Sequence, residues 1–253
     1  MSSVTYPIQT TLEYHHITEH YGIIELPYGP MLVNTHDPAM GLLRESVGEI
    51  RELQQFVQGT VLDIGANVGS HCVNWAKVAQ HIHAFEPHPV TFNNLCANLL
   101  LHMSKNVTPY NIALGAYNGD AKLDDFDITG EHYSMGAYIG NGPLTVPMRT
   151  IDSYNFSPVH FMKIDTEGSE YEILKGANQT LQRESPIVFV EIHRTELIDP
   201  ILSFMKERDY LTLEFVSYFM KDKETNEDIS LTRGQIFWKE GRIVWLDTPL
   251  SAA

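Results

Sequence analysis

The chain is poor in cysteine, in positive charge and in long apolar runs. Its 253 residues hold two cysteines, Cys72 and Cys96. That argues against a disulfide framework and fits two free thiols in a reducing, cytoplasmic setting. No apolar run approaches about 18 residues, so no membrane span is expected. The start, MSSVTYPIQTTLEYHH, lacks both a basic head and an apolar middle, so it does not read as a signal peptide. Lys and Arg number 17 against 32 Asp and Glu, a formal net charge of −15. Nucleic acids and anionic membranes require clustered positive charge, so neither is an expected partner, and a small-molecule or neutral polar one fits better. There is no CxxC, and none of the 12 histidines shows a zinc spacing. Nothing in the sequence marks an oligomeric state.

What is present is an alternation of strand and helix patterns. Residues 1–40 read as an N-terminal β arm or hairpin, with turn residues at Tyr28-Gly29-Pro30. Residues 41–250 read as one α/β domain. Leu43, Val47, Ile50, Leu53 and Val57 form a helical stripe that Gly59 ends. Strand patterns follow at Thr60–Ile64, His81–Phe85, Val107–Ile112, Val159–Ile164 and Ile187–Ile192, with helices between them. Residues 168–181 read as one such helix. Late strands are expected at Leu211–Val216 and as a pair, Gln235–Trp238 with Arg242–Leu246, around Lys239-Glu240-Gly241. Strands apolar on both sides and separated by helices imply a parallel sheet covered on both faces. Such sheets bind ligands at the carboxyl ends of their strands, near the switch point. Residues 115–150 interrupt the alternation and read as an insertion beside that crevice.

One turn carries most of the functional signal: VLDIGANVGS, residues 61–70. A dinucleotide fingerprint starting at Gly65 needs glycine at 67 and 70, where Asn67 and Ser70 stand. A phosphate-cradling loop needs a following Gly-Lys-Ser/Thr, which is absent. The remaining pattern is Asp63-x-Gly65-x-Asn67-x-Gly69. Asn tolerates positive φ and can hold the middle of the turn. S-adenosylmethionine has no pyrophosphate to press on the helix start, so its glycine requirement is looser. Glu86, in HAFEP at the end of the second strand, sits where a carboxylate accepts both ribose hydroxyls.

The blocks VLDIGANVGSH, HAFEPHPVTFNNLCANL, NIALG, TIDSY, MKIDTEGSEYEILKGA and PIVFVEIH occur in that order. Over roughly residues 45–208 the chain resembles the FkbM family of S-adenosylmethionine-dependent methyltransferases. The resemblance implies an α/β fold, Rossmann-like and class I, with a mostly parallel seven-stranded sheet and helices on both faces. It implies that Asp63, Gly65, Ala66, Asn67, Gly69 and Ser70 surround the methionine moiety. Glu86 would hold the ribose and His88 would flank the adenosine. Asn111, Ile112 and Ala113 would contact adenine. It also implies O-methylation of a small polar acceptor, with a sugar hydroxyl within a glycan first and a polyketide or other secondary-metabolite hydroxyl second. A non-catalytic metabolite-binding module is the reading from a different class, and Asp63, Glu86, Asp165 and Glu191 together argue against it.

An alcohol acceptor benefits from a general base as the new bond forms. Candidates stand at the ends of the fourth and fifth strands: Asp165, Thr166 and Glu167, then Glu191 and His193. His193 is favoured as base because its ordinary pKa lies near neutrality. Asp165 or Thr166 could instead cap the following helix, and Glu191 or His193 could pair with Lys163 or Arg194. Asp165 and Glu191 also offer hard oxygens that suit magnesium, although the metal-free reading is preferred. His132, Tyr133, Ser134, Met135 and Tyr138 in the insertion could cover the acceptor.

Overall fold

The computed structural model describes residues 15–37, 43, 46–125, 139–156, 158–221 and 228–241, with the backbone alone over 216–221 and 228–233. Three short strands come first: β1 (His15–His16), β2 (Tyr21–Leu26) and β3 (Gly29–Asn34), all antiparallel. Leu26 registers with Gly29, so the hairpin turns on Pro27-Tyr28, one residue before the expected place. Proline fixes φ at the first turn position. Helix α1 (Ser46–Leu53) leads into β4 (Thr60–Ile64), α2 (Ser70–Trp75), β5 (His81–Phe85), α3 (Pro89–Leu101) and β6 (Val107–Tyr110). A small second sheet follows, from β7 (Ala113–Leu114), β8 (Gly119–Leu123) and β9 (Leu144–Arg149). The chain then returns through β10 (Phe161–Ile164), α4 (Glu170–Gly176), α5 (Asn178–Glu184), β11 (Ile187–Glu191), α6 (Ile198–Lys206), β12 (Leu211–Lys221) and β13 (Asp228–Trp238).

The main sheet has seven strands in the order β12-β13-β11-β10-β4-β5-β6. The five central and right-hand strands run parallel, and β13 lies antiparallel between β11 and β12. Strand order reverses between β4 and β10, which puts the switch point there. Alternation along each strand sends side chains to opposite faces. Val61, Phe161 and Phe189 pack with the arm and with Ile50, Trp75, Leu95 and Leu99 on one face. Leu62, Met162 and Val188 pack with Leu174, Leu181, Ile201 and Met205 on the other. Among the described residues, no helix is long and apolar enough to cross a membrane.

Two expectations change. The helix read over 168–181 is two helices that meet at Ala177. Asp152 of TIDSY explains the second start: its carboxylate accepts from Gln179 N, Thr180 N and Thr180 Oγ1, each at 2.8 Å. These are the donors that a helix start leaves open. The last hairpin pairs β12 with β13, not Gln235–Trp238 with Arg242–Leu246. Residues 242–246 lie outside the described residues, as do His132, Tyr133, Ser134, Met135 and Tyr138.

A fully buried side chain fastens the arm. Asn98 Oδ1 accepts from Leu32 N at 2.7 Å, and its Nδ2 donates to Leu32 O at 3.0 Å and Val68 O at 2.9 Å. Replacing it strands backbone groups on both the hairpin and the glycine turn. Asn98→Ala is expected to cost about 2–3 kcal/mol, read as a lower urea midpoint. An unchanged midpoint would show that the arm does not need this clamp.

Candidate active site

Register builds the site. Ile64, Phe85, Tyr110, Ile164 and Val190 lie in one row across β4, β5, β6, β10 and β11. The next residue on each strand is Gly65, Glu86, Asn111, Asp165 and Glu191. The rung at the carboxyl ends of the strands thus carries five of the expected site residues: four stand just past the paired strands, and Glu191 closes β11 opposite Gly234 of β13.

Gly65 has φ +79°, and a Cβ there would lie 1.8 Å from the Asp165 carbonyl oxygen. Only glycine lets the turn pass the end of β10 so closely. Asn67 takes φ +49°. Its backbone N–H donates to Glu86 Oε2 at 3.0 Å, and His88 N–H donates to Glu86 Oε1 at 2.9 Å. The turn and the acid, 19 residues apart, are therefore one device. Burial pushes the Glu86 carboxyl up to about 7 despite these two bonds. Asn111 Nδ2 donates to the carbonyls of Glu86 and Pro87, both at 2.9 Å, and so holds the corner that presents Glu86. His88 is buried, with Nε2 at 3.3 Å from Asp125 Oδ1.

A cleft opens over this rung. Gly65, Asn67, Glu86, His88, Ile112 and Ala113 line its first half, and Asp165, Glu191 and His193 its second. Asp63, Ala66, Gly69, Ser70 and Asn111 do not line it. Asp63 sits two residues before the rung's end and points beneath the sheet, where it accepts from Cys72 Sγ at 3.0 Å. Gly69 and Ser70 serve the start of α2, with φ +91° at Gly69. These residues shape the turn from behind.

The second half is a charged cluster. Lys163, cross-strand neighbour of Asp63, is buried at 1% side-chain exposure. Its Nζ donates to Asp165 Oδ2 at 2.9 Å and lies 3.8 Å from Asp63 Oδ1. Burial alone would lower its pKa, but Asp165, Asp63 and Glu49 outweigh that and keep it charged. Asp165 Oδ1 is 2.9 Å from His193 Nε2, and His193 Nδ1 is 3.6 Å from Glu167 Oε2. Lys163 and His193 hold the Asp165 carboxyl far below its ordinary range, against burial. Asp165 and Thr166 do not cap α4. Glu170 organises that loop instead, accepting from Thr166 N, Thr166 Oγ1 and Gly168 N.

His193 does not sit near neutrality. Burial would lower it, yet Asp165, Glu167 and Glu191 together raise it to about 10, so the imidazole carries its proton at pH 7. Burial and the Asp165 charge raise Glu191 well above an ordinary carboxylate, and burial raises Glu167 to about 7. Two of these participants enter the sequence reading only at its margin. Lys163, the lone cation in the otherwise apolar strand FMKI, pairs with Asp165 and not with Glu191 or His193, and Glu167, the second acid of DTEG, stands beside His193. The ligand atoms of Asp165, Glu167 and His193 all lie within 4.8 Å of one another, close enough to share a cation.

With that geometry in view, comparison with known proteins is informative. Residues 63–212 match the model of the methyltransferase FkbM domain. A hexuronic acid methyltransferase from Haloferax volcanii, AglP, is 31% identical over 138 residues, covering 52% of this chain and 54% of that protein. The chain thus spans about half the length of that curated relative. The crystal structure of a methyltransferase FkbM from Methylobacillus flagellatus superposes with a TM-score of 0.51 at 20% identity, over 71% of this chain and 43% of that one. The crystal structure of M. jannaschii TYW2 in complex with AdoMet gives 0.50 at 13% identity, over 88% of this chain and 89% of that one. These two likenesses show the class I methyltransferase fold. Because the family model spans the glycine turn, the whole strand-end rung and both acid-bearing loops, the chain belongs to the FkbM methyltransferase family.

Proposed function

We propose that the chain is an S-adenosylmethionine-dependent O-methyltransferase whose acceptor is a hydroxyl of a sugar within a glycan. The carrying observation is the pairing of Glu86 with the glycine turn, next to a cluster of acids at the far end of the same cleft. The cofactor fits the first half. Glu86 is fixed by two backbone donors and can still accept from ribose hydroxyls. Asn67 Oδ1 is buried without a hydrogen-bond partner and lines the cleft, so a ligand donor is needed there. Ile112 and Ala113 supply apolar surface for a base. The curated relative's name places a hexuronic acid among the acceptors of a similar chain. The free thiols Cys72 and Cys96 suit a reducing, cytoplasmic setting.

When bound, S-adenosylmethionine supplies a sulfonium-activated methyl; the acceptor oxygen gains that methyl, sulfur keeps the bonding pair, and the hydroxyl proton passes to the protein. Alignment is the protein's main contribution. The rigid rung fixes both ends of the cleft at once. Asp165 and His193 brace each other through their 2.9 Å contact, so neither swings into the acceptor space. Protonated His193 faces Asp165 through Nε2 and Glu167 through Nδ1, and so fixes the acids around the acceptor space. Glu191 lines the cleft without a hydrogen-bond or ion-pair partner among the described residues. Its raised proton affinity makes it the stronger base once ionised.

Glu86 must be ionised to accept two hydroxyls. Affinity for S-adenosylmethionine is therefore expected to fall as pH drops below about 7, the value set by its burial. Glu86→Gln should bind about tenfold or more weakly and lose that pH dependence. Calorimetry across pH 5.5–8.5, a range of roughly 1.5 units either side of that value, reads both effects; a flat wild-type profile would remove Glu86 from the site. Glu191→Gln is expected to cut turnover on a glycan acceptor by about 10²-fold or more while cofactor affinity holds. Normal turnover in that variant would refute Glu191 as base.

A further inference from the structure

We propose that the ribbon of β12 and β13 beyond Gly234 is the far wall of the acceptor site, and that it holds the sugars next to the methylated one. The role of this wall rests on the glycan-acceptor reading above. Gly65 and Glu86, at the cofactor end of the cleft, follow β4 and β5, whereas Asp165, Glu191 and His193 stand at or just after the ends of β10 and β11. The strands run in the order β12-β13-β11-β10-β4-β5-β6. The acceptor half therefore lies between the cofactor half and β13. An aligned transfer turns the reacting hydroxyl toward the cofactor. The rest of the acceptor leaves on the opposite side, where β13 and β12 stand.

These two strands continue where the others stop. Glu191, the last residue of β11, pairs with Gly234, and Gly234 pairs with Phe215. Because β13 runs antiparallel to β11, its residues before Gly234 pass beyond the carboxyl ends of the parallel strands. Residues 228–233 and 216–221 form that continuation. At ~3.3 Å per residue it reaches about 20 Å past the rung, longer than one sugar ring and suited to a chain of them. Its base is fixed. Phe189 and Phe215 are buried, and their rings meet edge to face across β13 at 5.2 Å. A Cβ at Gly234 would lie 2.4 Å from the Phe189 ring, so glycine lets that ring lie against the strand. Two register shifts follow, between Ser217 and Tyr218 and between Tyr218 and Met220. Bulges of this kind bend and twist a ribbon, and they recur beside active sites.

The residue types in the ribbon suit a sugar chain. Tyr218 and Phe219 stand in tandem on β12, and Ser217, Ser230 and Thr232 belong to the same two strands. Aromatic faces pack on the C–H faces of sugar rings, and serine and threonine hydroxyls both donate to and accept from sugar hydroxyls. Among the described residues, no other strand of this sheet runs past the rung.

The test measures methyl transfer by the full chain to two pairs of acceptors: glucose with cellotetraose, and glucuronic acid with a hyaluronan tetrasaccharide. For one pair, kcat/KM is expected to be about tenfold or more higher for the tetrasaccharide than for the single sugar, chiefly through KM. Replacing residues 218–231 by a two-residue turn closes the hairpin on the Ser217–Thr232 pair. That variant should lose the length preference, and the double substitution Tyr218→Ala, Phe219→Ala should lose most of it, while affinity for S-adenosylmethionine holds in both. Circular dichroism checks folding, and should the shortened chain fail to fold, the double substitution decides alone. Equal kcat/KM for single sugar and tetrasaccharide, or a folded variant that keeps the full preference, overturns the wall's role. Transfer to none of the four by a chain that binds S-adenosylmethionine sinks the glycan reading and the wall with it. Failure to bind the cofactor would instead sink the methyl-transfer reading.

Discussion

The site hangs on one buried cation. Lys163 lies in the middle of the sheet, flanked in register by Asp63 on β4 and Phe189 on β11. An ammonium in such a place is tolerable only when anions compensate it. Asp63 does so from beneath the glycine turn, and Asp165 from the end of its own strand. The consequence runs outward in both directions. Asp63 is tied to Cys72 and thereby to α2, which the turn leads into. Asp165 is tied to His193, and His193 to Glu167. The cofactor half and the acceptor half of the cleft are therefore two ends of one polar chain threaded through an apolar core.

The same logic shows where the fold gives up stability. Glu86 is buried, and its carboxyl sits near 7 in the folded chain against an ordinary 4.5. As pH rises, the unfolded chain ionises this group first. The folded state therefore loses stability between those two values, and the loss is complete above them. Asn67 and His88 donate to the carboxylate without abolishing that cost. A ligand with paired hydroxyls would offset it.

Much of this was legible. Strand ends could be read because aliphatic runs stop at an acid or a glycine, and register then places Gly65, Glu86, Asn111, Asp165 and Glu191 together. The class I sheet was legible from its alternation and its ordered blocks. What escaped has physical reasons. Asp63 reads as a ligand contact from its place in the motif, but it stands two residues short of the turn and is buried against Lys163 and Cys72. His193 reads as a neutral base from its residue type, yet its charge is set by Asp165, Glu167 and Glu191, which are distant in sequence. The break at Ala177 could not be seen because the group that starts α5 is Asp152, more than 20 residues upstream. The late hairpin was misplaced because Lys239-Glu240-Gly241 is a clearer turn signal than anything near residues 222–227.

The acidity of the cleft has a further consequence. The chain's formal charge is −15, and the second half of the cleft concentrates Asp165, Glu167 and Glu191 beside two cations that are already engaged. A sulfonium cofactor is attracted to that field, and the neutral thioether left after transfer is attracted less. Exchange of spent for fresh cofactor would follow from charge alone. The same field disfavours an acceptor that arrives as a bare anion. The electrostatics that draw the cofactor in thus restrict the acceptor, through groups that Lys163 holds in place.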